Sequence, residues 1–204
     1  EVLRQEKKFL ITLDRFYSLS GELAQVLHLD GHSQGEGYPI RSLYYDTPDD
    51  RDFQEKEDGV ELRRKLRLRS YGPDTPFAML EMKQKQGAMQ KKRSLRVDRE
   101  DASALARGDY SCLLGYSDPF ACECFALMHM YCYRPKAMVE YRRKAFVAKE
   151  NRIRVTFDHH IIASESCFDL FSSKLLENPV LDPYLVVLEV KYNGFLLSYI
   201  KDLL

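Results

Sequence analysis

Glu189 and Lys191 alternate with Leu188, Val190 and Tyr192 in the stretch LEVKY. On a strand, residues i and i+2 share a face. A carboxylate and an ammonium group would therefore point together, away from an apolar side. The arrangement recurs along the chain. Arg4, Glu6 and Lys8 share a face, and Arg67 and Arg69 lie opposite Leu66 and Leu68. Glu81, Lys83 and Lys85 lie opposite Leu80 and Met82; Arg152, Arg154, Thr156 and Asp158 lie opposite Ile153, Val155 and Phe157. Rows of Arg and Lys suit anion binding, phosphate above all, because their donors match its oxygens. The isolated carboxylates suit a divalent metal, which takes oxygen ligands and bridges phosphates. A sheet with one solvated face gives the same alternation, so the pattern alone leaves both readings open.

Two segments do not alternate cleanly. In MVEYRRKAF either Arg142 or Arg143 falls on the charged face, and in MQKKRSL either Lys91 with Arg93 or Lys92 with Ser94.

The elements that must position these residues are mostly strands. Residues 3–12, IRSLYYD, ELRRKLRLRS, FAMLEMKQK, MQKKRSLRVD, PKAMVEYRRKAFV, RIRVTFDHHI and YLVVLEVKY are eight strand candidates. Phe16, Leu19, Leu23, Val26 and Leu27 recur at helical spacing, and Ser117, Asp118 and Pro119 open a helix through about Tyr131. DASALARG reads as a short helix, DDRDFQEKEDG as a short exposed helix or loop, and the final FLLSYIKDLL as the start of a helix.

Composition narrows the class. The 204 residues are 45% hydrophobic and 30% charged, with 31 Lys+Arg balancing 31 Asp+Glu. Net charge therefore predicts neither a polyanion nor a membrane surface as partner. The balance hides a local bias: Glu61 to Arg99 holds twelve Lys/Arg against Glu61, Asp74, Glu81 and Asp98. Concentrated positive charge is what captures anions. No apolar run approaches the ~18 residues of a membrane span, and no signal-peptide pattern opens the sequence. Five cysteines without a CxxC pair read as reduced thiols of a cytoplasmic protein.

In order along the chain, RQEKKF, LYYDTPD, LRLRSYG, LEMKQKQGAMQKKR, EYRRKAF, IRVTFD and LEVKY resemble a known family. It is the VTC domain of polyphosphate polymerases, within the triphosphate tunnel metalloenzyme (CYTH-like) group. The resemblance implies an α+β fold, an eight-stranded antiparallel β-barrel tunnel with flanking helices, as a single domain over residues 1–204. It implies that Lys8, Arg67, Arg69, Lys83, Arg143 and Arg154 are catalytic cations, with Lys85, Lys91, Arg93, Tyr141 and Lys191 binding phosphate beside them. The ambiguous segments are thereby resolved in favour of Arg143 and of Lys91 with Arg93. Glu189, with Glu6, would hold Mn²⁺ or Mg²⁺.

The activity implied is transfer of the γ-phosphate of a nucleoside triphosphate such as ATP to a growing polyphosphate chain, with pyrophosphate as primer. Positioning and charge neutralisation do most of such chemistry. The alternatives are a metal-dependent inorganic triphosphatase and a non-catalytic polyphosphate-binding module. The wider group opens with Glu-x-Glu-x-Lys; Arg4 replaces the first Glu here, which looks like the polymerase branch. The Ser-Lys pair that VTC domains carry beyond the last helix has no counterpart before Leu204. VTC proteins of eukaryotes act beside membrane channels, so recruitment to a membrane partner is expected without an intrinsic segment.

Nucleic acid is not expected as a partner, because aromatic platforms are sparse in the basic run, with Tyr71 and Phe77 at strand ends. His159 and His160 are expected to point to opposite sides of a strand, and Cys122 and Cys124 to different faces of a helix. Asp46 and Asp158 read either as strand-end caps or as carboxylates that orient the cations.

Overall fold

The computed structural model describes residues 4–87, 89–173 and 178–204. Leu3, expected in the first strand, and the Arg4 side chain lie outside the described residues. In chain order the elements are β1 (Arg4–Thr12), α1 (Leu13–Val26), β2 (His28–Leu29), β3 (Tyr38–Asp46), α2 (Arg51–Glu57) and β4 (Leu62–Ser70). Then come β5 (Phe77–Gln86), β6 (Met89–Asp98), α3 (Arg99–Ala106), α4 (Pro119–Met130) and β7 (Arg134–Val147). The last are β8 (Arg154–Ser164), β9 (Asn178–Pro179), β10 (Leu185–Asn193) and α5 (Ser198–Leu203). The eight expected strands are β1, β3 to β8 and β10, and the architecture is the expected α+β class with antiparallel strands and flanking helices.

The helices start where capping chemistry allows. Thr12 Oγ1 accepts from the Arg15 amide and the Asp118 carboxylate from the Phe120 amide, with Pro119 in the first turn of α4. Asp46 accepts from the amides of Thr47, Asp52 and Phe53, so it ends β3 by anchoring α2. Among the described residues no helix is long and apolar enough to cross a membrane.

The chain forms two compact units, one of Glu1–Pro39, Glu140–Ile162 and Pro179–Leu204, the other of Ile40–Val139 and Ala163–Asn178. In the first, strands run in the order β1-β10-β8-β7. Lys8 faces Glu189 and Glu6 faces Lys191 across β1 and β10; Glu189 faces Thr156 and Lys191 faces Arg154 across β10 and β8. The opposite face carries Val155, Phe157, Leu188 and Val190, buried against Phe16, Leu19 and Leu23 of α1 and Ile200 of α5. Alternation thus buries the apolar set under helices and leaves the charged set together.

The second unit repeats the logic in the order β3-β4-β5-β6. Leu66, Leu68, Leu80, Met82, Leu95 and Val97 pack against Leu105 of α3 and Phe120, Cys124 and Met128 of α4. The other face of these strands carries Arg67 and Arg69, in register with Tyr44 and Ser42 on β3, and Glu81 in register with Arg67.

Two local features depart from expectation or depend on glycine. His160 takes a positive φ of 52°, and the kink brings its Nδ1 to 2.6 Å from Nδ1 of His159. The two imidazoles therefore meet instead of pointing apart. Gly37, at φ 105°, lies so close to β7 that a Cβ would sit 2.3 Å from the Arg143 carbonyl oxygen.

Candidate functional site

Each unit gathers its charged strand face into one cluster. In the first unit Glu189 is the centre, only 6% exposed. Its Oε2 lies 3.1 Å from Lys8 Nζ, and the Lys191 ammonium rests against Oε1. Glu6 joins from β1, 3.6 Å from Lys8 and 3.9 Å from Lys191. Burial alone would push the Glu189 carboxyl up; Lys191 and Lys8 outweigh it and hold the group down at about 2. Burial works against the charge of Lys8 too, and Glu189 and Glu6 raise its pKa nonetheless.

Arg143 reaches into the same unit through a two-pronged contact: Nε and Nη2 each donate to Asp158 at 2.6 Å. Burial opposes its charge, but Asp158 more than compensates and lifts the guanidinium above its ordinary value. The guanidinium also lies 5.3 Å from the Tyr141 ring centroid. Arg154 pairs with Asp30 at 2.7 Å and donates to Tyr38 Oη at 3.3 Å. The residue facing inward with Tyr141 on β7 is Arg143, while Arg142 is exposed.

In the second unit the centre is Glu81, 5% exposed. Arg67 Nε donates to its Oε2 at 2.7 Å, Arg69 Nη1 lies 4.0 Å away, and the Lys92 ammonium rests against Oε1. Burial alone would raise the Glu81 carboxyl, and Arg67, Lys92 and Arg69 reverse the shift. Arg69 also donates to Ser42 Oγ at 3.3 Å and Arg67 to Tyr44 Oη at 3.4 Å. Burial favours a high pKa for the Tyr44 phenol; Lys65, Arg67 and Arg69 bring it below its ordinary value. Lys83 and Lys85 continue the Glu81 face along β5.

Lys91 and Arg93 are placed elsewhere. Lys92 faces Lys83 in the β5–β6 register, which puts Lys91 and Arg93 on the opposite side of β6 with Leu95 and Val97. Arg93 Nη2 lies 2.6 Å from Glu123 Oε1 of α4 and its guanidinium 4.8 Å from the Phe120 ring centroid. The choice of Lys91 with Arg93 over Lys92 is therefore corrected: apolar packing of Leu95 and Val97 against α3 and α4 fixes the parity of the strand. The sequence places Glu81 on the charged face without a role, and gives no sign of Tyr44 and Ser42 as members of the cluster. The parity of Leu95 and Val97 was the signal that could have found Lys92.

A divalent cation has a fitting donor set in the first unit. Thr156 Oγ1 is buried without a hydrogen-bond partner and stands in register with Glu189 on the neighbouring strand, whose carboxylate is held between Lys8 and Lys191. Glu6 adds a second carboxylate. Among the described residues no three His, Cys, Asp or Glu side chains gather. Two carboxylates with a neighbouring hydroxyl suit Mg²⁺ or Mn²⁺, which use one or two carboxylates and complete their shell with water and phosphate oxygens.

Three solved structures share the fold. A proposed adenylate cyclase from Bacillus halodurans is 12% identical, with 98% of this chain and 86% of that chain covered at a TM-score of 0.56. A Hippeastrum protein, HpAC1, described as a proposed adenylyl cyclase with a dominant triphosphatase activity, is 12% identical, with 100% and 84% covered at 0.54. A proposed adenylate cyclase from Vibrio parahaemolyticus is 14% identical, with 98% and 84% covered at 0.51. Among curated proteins none matches. The model of one family, the VTC domain, matches residues 3–204. Over residues 3–204 the chain is a member of the VTC domain family.

Proposed function

We propose that the chain is a phosphoryl-transfer enzyme that moves the γ-phosphate of a nucleoside triphosphate onto a growing inorganic polyphosphate chain. The observation that carries the reading is the Glu189 cluster: a buried carboxylate held ionised by Lys8 and Lys191, beside the unpaired oxygen of Thr156. Membership of the VTC domain family supports it.

Lys8, Lys191, Arg143 and Arg154 bind phosphate oxygens in the first unit, and Arg67, Arg69, Lys83 and Lys92 do so in the second. Lys85 extends the second set, and Tyr141 keeps Arg143 oriented. Asp158, Asp30 and Glu81 hold these cations in place before substrate arrives, so little reorganisation accompanies charge build-up on the transferred group. Glu189, with Glu6, would hold Mn²⁺ or Mg²⁺, and the ion would supply neutralisation of the phosphate charge. No side chain is required as a covalent nucleophile: a terminal phosphate oxygen of the acceptor chain attacks the γ-phosphorus, and the nucleoside diphosphate leaves. ATP, polyphosphate and pyrophosphate are the partners, and the reaction is placed in the cytoplasm.

The triphosphatase activity printed for HpAC1 favours a second reading, hydrolysis of a triphosphate by the same residues. Turnover of ATP, with and without Mn²⁺ or Mg²⁺, tests the shared part of both. Arg67→Ala and Glu189→Gln are each expected to lower kcat a hundredfold or more. Near-normal rates in either variant contradict a phosphoryl-transfer role for these clusters.

A further inference from the structure

The second unit contains a cavity of about 920 Å³ that takes in Lys83 and Lys85 and continues past them to α2. Its lining holds seven Lys or Arg against four Asp or Glu, so an anionic ligand is favoured. At the α2 end the lining changes character. Phe53 offers an aromatic surface that is 58% exposed, and Asp52 beside it is only 6% exposed.

Asp52 is incompletely satisfied. Its Oδ2 accepts a hydrogen bond from Tyr133 Oη at 2.7 Å, whereas Oδ1 accepts none. The nearest cation, Arg64 Nε, stands 3.8 Å from Oδ1, inside ion-pair range and beyond hydrogen-bonding distance. Buried acceptors are nearly always paired, and one left unpaired costs free energy that a ligand donor recovers. The neighbouring carboxylate, Asp46, has no such vacancy, since both its oxygens accept backbone amides. Burial, partly offset by the Tyr133 hydrogen bond, raises the Asp52 pKa to about 6, in keeping with a carboxyl short of partners.

An anionic end, an aromatic surface and one buried acceptor together describe a phosphorylated ligand with an aromatic body and a single donor. We propose that this cavity holds the nucleoside end of the nucleoside triphosphate, with Asp52 Oδ1 accepting from one N–H or O–H donor and the phosphates directed to Lys83 and Lys85. The inference rests on the phosphoryl-transfer reading and adds the recognition of the nucleoside to it. One free oxygen matches one donor, either the 6-amino group of adenine or the ribose 2′-hydroxyl. The paired donors of guanine would leave one unmatched.

Binding of ATP, ITP, 2′-deoxy-ATP and inorganic tripolyphosphate to the full chain, measured by calorimetry with Mg²⁺, separates the sources. A hydrogen bond to a charged group is worth about 1.5–3 kcal/mol, so its loss weakens binding about tenfold or more. ITP weaker than ATP identifies the base amino group as the donor; 2′-deoxy-ATP weaker than ATP identifies the ribose. In Asp52→Asn the Tyr133 hydroxyl keeps the side-chain oxygen and the amide nitrogen turns to the cavity. ATP is then expected to fall to the level of the weaker analogue while tripolyphosphate is unaffected. Equal binding of ATP, ITP and 2′-deoxy-ATP by the unmodified chain overturns the inference, whether or not the variant folds. An equal change for ATP and tripolyphosphate in Asp52→Asn also overturns it, because Asp52 would then act only through its charge. Failure of tripolyphosphate to bind the unmodified chain would instead count against the phosphate-binding role of the cation clusters.

Discussion

Lys92 and Arg93 are neighbours in sequence and reach in opposite directions, Lys92 to Glu81 and Arg93 to Glu123 of α4. Their substitutions should separate accordingly. Lys92→Ala is expected to lower kcat about tenfold, the size of one lost charge-assisted hydrogen bond, with the denaturation midpoint nearly unchanged. Arg93→Ala should lose about 1 kcal/mol of stability with its contacts to Glu123 and Phe120. Parallel kinetics and urea unfolding check both, and a reversed pattern contradicts the face assignment of β6.

Asp158 fixes Arg143 through two hydrogen bonds of 2.6 Å, and both side chains are largely buried, 13% exposed each. Replacing Asp158 by Asn removes the charge and one acceptor but keeps the shape. We expect a loss on the order of 2–3 kcal/mol of stability and a rise in KM for the triphosphate as Arg143 loses its orientation. Unchanged KM would show that Arg143 binds no phosphate.

Gly37 should tolerate no side chain. Its φ of 105° is unfavourable for any L-residue, and a Cβ would strike the Arg143 carbonyl at 2.3 Å. Gly37→Ala is expected to cost about 1–3 kcal/mol, read by chemical denaturation, and to lower affinity for tripolyphosphate because β7 shifts at Arg143. Wild-type stability in this variant would contradict the close approach.

Acid stability carries the signature of Glu189. Its folded pKa of about 2 lies below the ordinary 4.5, so it stabilises the fold above pH 4.5 and loses that contribution as pH falls toward 2. The shift corresponds to on the order of 3 kcal/mol. Asp52 has the opposite sign: raised from 3.8 to about 6, it favours the fold at low pH and loses that contribution as pH rises across this interval. Unfolding free energy measured from pH 2 to 7 should therefore flatten below pH 4.5 in Glu189→Gln and between pH 4 and 6 in Asp52→Asn. An unaltered profile in either variant refutes its part of the account.

Alternation made the first unit's charged face legible, because Leu188, Val190, Val155 and Phe157 fix the parity of β10 and β8. The same rule applies on β6, where Leu95 and Val97 define the buried side and put Lys92, against the family motif, on the charged face. The meeting of His159 and His160 was not legible, since the positive φ at His160 breaks the alternation on which the reading relied. Asp52 was hidden for a different reason. It sits in an acidic run whose members look alike in sequence, and its burial depends on Tyr133, 81 residues further along. Long-range partners of this kind leave no local trace.

The most direct measurement is gel analysis of phosphate products after incubating the chain with ATP, Mn²⁺ and pyrophosphate. A ladder of polyphosphate lengthening with time, and absent for Glu189→Gln, is the result predicted by polymer-forming transfer. Orthophosphate accumulating without any ladder would contradict it and assign the same residues to triphosphate hydrolysis.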